Sequence, residues 1–176
     1  MLEKLIVRPE TVDDFPAVRE VADMAFQDDE ESIADLIEAL RSEPGYTPEL
    51  SLVAEVDGAI VGHIMFTDAR IETDSGAVPV KSLGPLAVHP DWQQKGIGTQ
   101  LGKEGLEACR RLGHRIAVVI GHSTYYPRFG FQRGRPLGIE MSIGRLEQSR
   151  MIVELVPGAL DGVRGMVYFS PLFGEE

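Results

Sequence analysis

Residues 83–98, reading LGPLAVHPDWQQKGIG, constrain this chain more than any other stretch. They put a Gly-Pro pair inside a strand-like run and, a few residues later, a glycine-containing turn that opens a helix. Proline has no N–H for a sheet ladder, so the strand over 78–88 must bulge or lie at an edge at Gly84-Pro85. The strand ends at Val88 and Pro90 marks a turn. Gln93-Gln94-Lys95-Gly96-Ile97-Gly98 then leads into a helix over about 97–112. Gly96 and Gly98 let the backbone approach a ligand closely. Their amides, with the free N–H groups of the helix's first turn, form a site for an anion. The helix dipole adds about half a positive charge there, and Lys95 a full one. Such a loop would serve a pyrophosphate well.

Two familiar phosphate loops do not fit. A Walker A loop carries its lysine after the last glycine, whereas Lys95 precedes both. A dinucleotide fingerprint needs three glycines after a first strand; here there are two, late in the chain. A nucleotide enzyme is disfavoured further by the absence of a Mg²⁺ carboxylate pattern.

The rest of the chain supplies a frame for this loop. EKLIVRPE reads as a first strand that stops at Pro9. Thr11 caps a helix with Asp13 and Asp14 in its first turn and Val12, Phe15, Val18, Val21 or Ala22, and Ala25 at helical spacing. A second helix, EESIADLIEALRSE, carries Ile33, Leu36, Ile37 and Leu40 on one face and ends before Pro44-Gly45. Two strands follow around an Asp57-Gly58 hairpin. The helix over 97–112 has Ile97, Leu101, Gly105, Ala108 and Leu112 as its stripe and Gly113 as its C-cap. RIAVVIG is a fully apolar, central strand. TYYPRFGFQRG is a short helix or turn and a strand, and the tail adds two strand-like runs broken at Pro157-Gly158. This order predicts an α/β fold with a mixed, largely antiparallel sheet flanked by helices and one parallel crossover.

The chain has 176 residues, enough for a single domain over 1–176. No window approaches the roughly 18 apolar residues of a membrane span, and the first residues show no cleavable leader. With Cys109 the one cysteine, no intrachain disulfide forms. These features predict a cytoplasmic protein with no membrane partner. The net charge of −11 is uneven: residues 1–88 hold 6 Lys/Arg against 19 Asp/Glu, and residues 89–135 hold 8 against 3. That asymmetry suits two partners of opposite sign, and equally suits acidic helices that are simply solvated. Nucleic acid is not an expected partner, because the basic segment is short and carries no binding motif. His63, His89, His114 and His122 show no metal-ligand spacing, so no metal is expected.

Residues 93–98, QQKGIG, and the wider PLAVHPDWQQKGIGTQL resemble the phosphate motif of the GNAT superfamily of acyl-CoA-dependent N-acetyltransferases, Gln/Arg-x-x-Gly-x-Gly/Ala at a strand-to-helix junction. Tyr126-Pro127-Arg128-Phe129-Gly130-Phe131 is similar to that family's Tyr-x-x-x-Gly-Phe signature. Element order agrees over about residues 4–135, and the strand-rich tail over about 136–176 resembles a bacterial subgroup of predicted acetyltransferases. The resemblance implies a sheet splayed at its central strands and acetyl-CoA as cosubstrate. The pyrophosphate would rest on the amides of about Gln94 to Thr99, with Gln93 and Lys95 in the same loop. The pantetheine arm would pair with the backbone of Leu86, Ala87 and Val88 like an added strand. Arg110 and Arg111 either complement the helix dipole or attract the adenosine 3'-phosphate.

By that resemblance Tyr126 is the general acid, with core packing as its other reading and Tyr125 as the neighbouring ambiguity. The base is not legible: the strand over 78–88 has no carboxylate, and Glu72, Asp68, His63 and His122 are the candidates. His122 leads them, because it follows the apolar strand and lies close to Tyr126 in sequence. Trp92 flanks the loop as a packing residue, and Cys109 is not expected to act covalently. The expected activity is acetyl transfer to a small-molecule or peptide amine by direct attack in a ternary complex, with a cationic acceptor favoured by the acidic N-terminal half. The alternative is a non-catalytic acyl-CoA sensor or scaffold. The protein is expected to act as a monomer or homodimer.

Overall fold

A computed structural model describes residues 4–174, so Glu3 of the expected first strand and both extreme ends of the expected domain lie outside the described residues. The chain forms two compact units. The first comprises the residues up to Phe66 together with Gly84–Ala108; the second comprises Thr67–Leu83 and the residues from Cys109 onward. No described helix is long and apolar enough to cross a membrane.

In the first unit, strand β1 (Leu5–Pro9) pairs antiparallel with β2 (Ser51–Val56), which pairs antiparallel with β3 (Ala59–Thr73). The β2–β3 hairpin turns where Asp57-Gly58 predicts it. Asp57 takes φ of 49° and Gly58 85°, the left-handed pair that a two-residue hairpin turn requires. Between β1 and β2 run helices α1 (Phe15–Ala25) and α2 (Ile33–Arg41). Ser32 caps α2 by accepting from the Asp35 amide at 3.1 Å. Val18, Val21 and Ala22 on α1, and Ala34, Ile37 and Leu40 on α2, are buried. The N-terminus of α1 differs from expectation. Thr11 caps a 3₁₀ turn over Val12–Asp14, and Val12 is 74% exposed rather than on the buried stripe. The Asp14 carboxylate accepts from the Thr11 amide at 2.7 Å and from the Arg8 guanidinium at 2.7 and 2.9 Å. That buried carboxylate, which Arg8 holds well below its usual range at about 2, tightens the turn ahead of the helix.

In the second unit, β4 (Gly76–Val88) pairs parallel with β5 (Ile116–Ile120) at Lys81↔Ala117 and Ser82↔Val118. The ladder stops there, just before the cis Gly84-Pro85 peptide, where the sequence predicts an interruption. β5 pairs antiparallel with β8 (Arg150–Glu154), which pairs with β6 (Gln132–Arg133). The tail is richer than expected. β9 (Gly165–Tyr168) pairs antiparallel with β3 and parallel with β7 (Ile139–Met141), a second parallel pair beside the single crossover read from sequence. Ile71, Val80, Ile116, Val118, Ile139, Met141, Ile152 and Val167 form this unit's core. β3 and β4 contribute residues to both units, as does helix α3 (Ile97–Arg111). The architecture is a mixed α/β fold with a largely antiparallel open sheet flanked by helices.

Gly113, at φ of 90°, donates its amide to the Arg110 carbonyl and ends α3 as a C-cap. The helix stops one residue short of Leu112, which is 47% exposed and not part of the buried stripe.

Candidate active site

The end of β4 leads directly into the glycine loop. Ala87 is buried, while Leu86 and Val88 are half-buried. The Val88 carbonyl accepts from the Gln93 side-chain amide at 2.9 Å, and the His89 amide donates to the Val61 carbonyl at 2.9 Å. A 3₁₀ turn over Pro90–Trp92 is capped by His89, whose Nδ1 accepts from the Asp91 amide at 3.1 Å. Gln93 is extended, Gln94 is left-handed at φ of 62°, and Gly96 is left-handed at 85°. Two left-handed residues this close together bend the loop into a tight turn, the kind of backbone from which anion-binding concavities are built. A Cβ built on Gly96 would meet nothing within 4 Å. Glycine is needed there for its backbone conformation rather than for room.

The first intrahelical bond of α3 runs from the Gln100 amide to the Gly96 carbonyl at 3.0 Å. Ahead of it the Ile97 and Gly98 amides have no carbonyl within the helix to receive them. Lys95 stands exposed beside them. Ile97 and Leu101, both buried, fix this helix end on β3. A Cβ on Gly62 would lie 3.0 Å from Leu101 and 3.1 Å from Ile97, and one on Gly105 would lie 2.4 Å from the Phe66 ring. Two glycines thus let the helix approach the strand closely; Gly105 lies on the stripe that helical spacing predicts, while Gly62 has no local sequence signature.

In the second unit, Tyr126 opens a 3₁₀ turn over Tyr126–Phe129. Gly130, at φ of 96°, closes it by donating to the Pro127 carbonyl, and Phe131 enters the core. That is the physical content of the Tyr-x-x-x-Gly-Phe spacing: a turn starter, a left-handed reversal and a core anchor. The Tyr126 ring meets Tyr125 edge-on at 5.1 Å between centroids and Phe131 at 5.9 Å. Burial pushes its phenol up to about 12, with Tyr125 adding to the shift, so it keeps its proton at neutral pH. Arg128 covers the Tyr125 ring at 4.1 Å.

The candidate bases are dispersed. His122 is exposed in the turn after β5, its carbonyl receiving the Tyr125 amide at 3.1 Å and the Tyr126 amide at 3.4 Å. Glu72 is exposed and accepts from Arg70 at 2.6 Å. Asp68 is exposed and pairs with the buried Lys81 ammonium. Cys109 is buried, and burial pushes its thiol up to about 12, which keeps it in the unreactive form. Arg110 donates to the Leu155 carbonyl at 2.6 Å. Among the described residues no group of three or more His, Cys, Asp or Glu side chains is placed to hold a metal ion.

His63 is fully buried, in a cluster that no sequence pattern announces. Glu10, also buried, accepts from Arg41 at 2.7 and 3.0 Å, from the Tyr46 hydroxyl at 2.7 Å and from the Ser51 hydroxyl at 2.7 Å. His63 Nε2 lies 3.0 Å from Ser51 Oγ and 3.3 Å from Glu10 Oε1. Because the Ser51 proton goes to Glu10, both neighbours accept at Nε2. The network therefore assigns the imidazole proton to that nitrogen. Nδ1 finds no partner among the described residues. Burial lowers the His63 pKa, so the ring is neutral at neutral pH. Burial alone would raise the Glu10 carboxyl, but His63, Arg41 and Ser51 outweigh it and hold Glu10 well below the usual carboxylate range.

Residues 6–134 match the family model described as an acetyltransferase (GNAT) domain. The Escherichia coli (strain K12) protein named uncharacterized N-acetyltransferase YjhQ is 41% identical over 115 residues, which are 65% of this chain and 62% of that protein. The crystal structure of a GNAT family N-acetyltransferase, YhbS, from Escherichia coli in complex with CoA superposes with a TM-score of 0.86. It is 27% identical over 96% of this chain and 91% of the other. A GNAT family acetyltransferase from Brucella melitensis in complex with acetyl-CoA superposes with a TM-score of 0.78, at 31% identity over 96% of this chain and 97% of that one. With residues 6–134 matched to that family's model, this chain belongs to the GNAT family of acetyltransferases.

Proposed function

We propose that the chain moves an acetyl group from acetyl-CoA to a primary amine by direct attack in a ternary complex. The observation that carries this reading is the loop over Gln93–Gly98. Its left-handed backbone and the helix-end amides with no intrahelical carbonyl, beside Lys95, suit a pyrophosphate, and the YhbS and Brucella proteins were each crystallised with CoA or acetyl-CoA. The loop amides and Lys95 hold the diphosphate, and the backbone of Leu86, Ala87 and Val88 receives the pantetheine arm. An amine, with a pKa near 10, first gives up a proton and then adds to the thioester carbonyl. A backbone N–H near Ala87 or Val88 stabilises the oxyanion. As the C–S bond breaks, the departing CoA thiolate takes the phenolic proton of Tyr126, and the proton that the attacking nitrogen sheds as the amide forms returns Tyr126 to its neutral state. Burial keeps that proton in place until the thiolate forms. His122 is retained as the base, taking the proton of the attacking ammonium; its exposure gives it access to water.

A cationic acceptor is favoured by charge. Arg19 engages Asp35 and Glu38, but Asp28, Asp29, Glu30 and Glu31 between α1 and α2 are all exposed. A cytoplasmic location agrees with acetyl-CoA as donor. Titration calorimetry with CoA, followed by thiol release from acetyl-CoA across a library of amines, tests the reading. Micromolar-to-millimolar binding and release with at least one amine are expected. Absence of heat at millimolar CoA overturns it, and binding without release to any amine leaves only a sensor.

A further inference from the structure

We infer that Gly121 positions the Tyr126 phenol, its missing side chain setting how close the ring lies to the end of β5. This rests on the assignment of Tyr126 as proton donor to the leaving thiolate. A Cβ built on Gly121 would lie 2.3 Å from Tyr126 Cε2, 2.9 Å from Cδ2 and 3.3 Å from Cζ. The ring therefore sits directly on the Gly121 backbone, in space that any other residue would fill. Gly121 is not among the residues with a left-handed φ, so its backbone is open to alanine and the requirement is for room. That backbone is itself pinned, the Gly121 amide donating to the Ser149 carbonyl at 3.0 Å.

The ring has little freedom to slide without displacing its neighbours. Tyr125 and Phe131 meet it edge-on, Phe129 lies 6.2 Å away between centroids, and Phe131 is buried. Its backbone is held as well, through the Tyr126 amide on the His122 carbonyl. An added methyl must push the ring from 2.3 Å to an ordinary carbon–carbon contact of about 3.5 Å. The required movement is roughly 1.2 Å, carried to the hydroxyl at the ring's far end. Misplacement of a reacting group by about 1 Å costs on the order of 100-fold in rate.

The test is a double-mutant cycle with Gly121→Ala and Tyr126→Phe. It uses acetyl-CoA and the amine from a panel of spermidine, kanamycin, lysine methyl ester and a short peptide that gives the fastest thiol release. Rates are referred to the CoA-binding stoichiometry of each preparation, so that unfolded protein is not counted. Gly121→Ala is expected to lower kcat about 10- to 100-fold with KM for acetyl-CoA unchanged, and to add nothing to the loss in Tyr126→Phe. A full rate in Tyr126→Phe would overturn the proton-donor assignment itself. A loss in Tyr126→Phe with a native rate in Gly121→Ala, or losses that multiply in the double variant, would overturn only the positioning role. A readout free of any acceptor comes from ¹⁹F titration of chains carrying 3-fluorotyrosine, the Tyr126 resonance being assigned by its loss in Tyr126→Phe. Lifting the ring from its half-buried seat lowers the titration point of that residue in Gly121→Ala, and an unmoved titration point overturns the inference.

Discussion

Glu10→Gln is expected to be among the most destabilising single changes in the first unit. The Glu10 side chain is fully buried, Arg41 is only 9% exposed, and the two are joined by bonds of 2.7 and 3.0 Å. Glutamine keeps the size but removes the charge, and it turns one acceptor into an NH₂ facing the donors of Arg41, Tyr46 and Ser51. Removing one partner of a buried ion pair costs about 3 to 5 kcal/mol, because the other charge stays desolvated. At about 2 to 4 °C per kcal/mol for a chain of this size, the melting temperature should fall by roughly 6 to 20 °C. Thermal and urea denaturation at pH 7 measure this. Replacing both partners, as in Glu10→Leu with Arg41→Met, should cost less than the two single changes together. Native stability should also depend on pH. Glu10 titrates below its usual 4.5 in the folded chain, so the stability it supplies is complete above about 4.5 and is lost as pH falls further. His63 stays neutral in the fold while the unfolded chain takes up a proton below about 6.5. Stability should therefore begin to fall as pH drops through 6.5, at up to about 1.4 kcal/mol per pH unit. A Glu10→Gln variant within 1 kcal/mol of native at pH 7, or native stability that holds or rises from pH 7 to 5.5, would refute this account of the cluster.

Gly96→Glu should abolish CoA binding while the chain stays folded. A side chain there meets open space, and its charge opposes the pyrophosphate. Gly96→Ala carries the same left-handed backbone strain, about 1 to 2 kcal/mol, and should retain measurable affinity by calorimetry; equal affinities in the two variants would remove the loop from the donor site. For a cationic acceptor, kcat/KM should fall as salt rises from about 20 to 300 mM with kcat nearly constant, since the Debye length is about 8 Å at physiological ionic strength. Indifference to salt would return the acidic N-terminal residues to solubility.

Features written over a few adjacent residues were legible in the sequence. Gln93–Gly98, the Asp57-Gly58 hairpin and the Gly113 cap each follow from the backbone conformations that glycine or asparagine-like residues permit at those positions. The apolar stripes of α1, α2 and α3 were legible for the same reason, since helical period is a local property. Their ends were not: Val12 and Leu112 continue the spacing but are exposed, because periodicity carries no information about where packing stops. What joined distant residues was decided by tertiary structure alone. The Glu10 cluster draws on positions up to 53 residues apart, from Glu10 to His63, and its pKa shifts arise from burial that no single segment encodes. Gly62, Gly105 and Gly121 look alike in sequence, yet each is required by a ring or side chain arriving from another element. By itself the sequence determined the glycine loop and the order of strands and helices around it, because backbone torsions and hydrophobic period are local; only the tertiary structure decided which buried charges are paired and what each glycine makes room for, because those depend on which surfaces meet once the chain has packed.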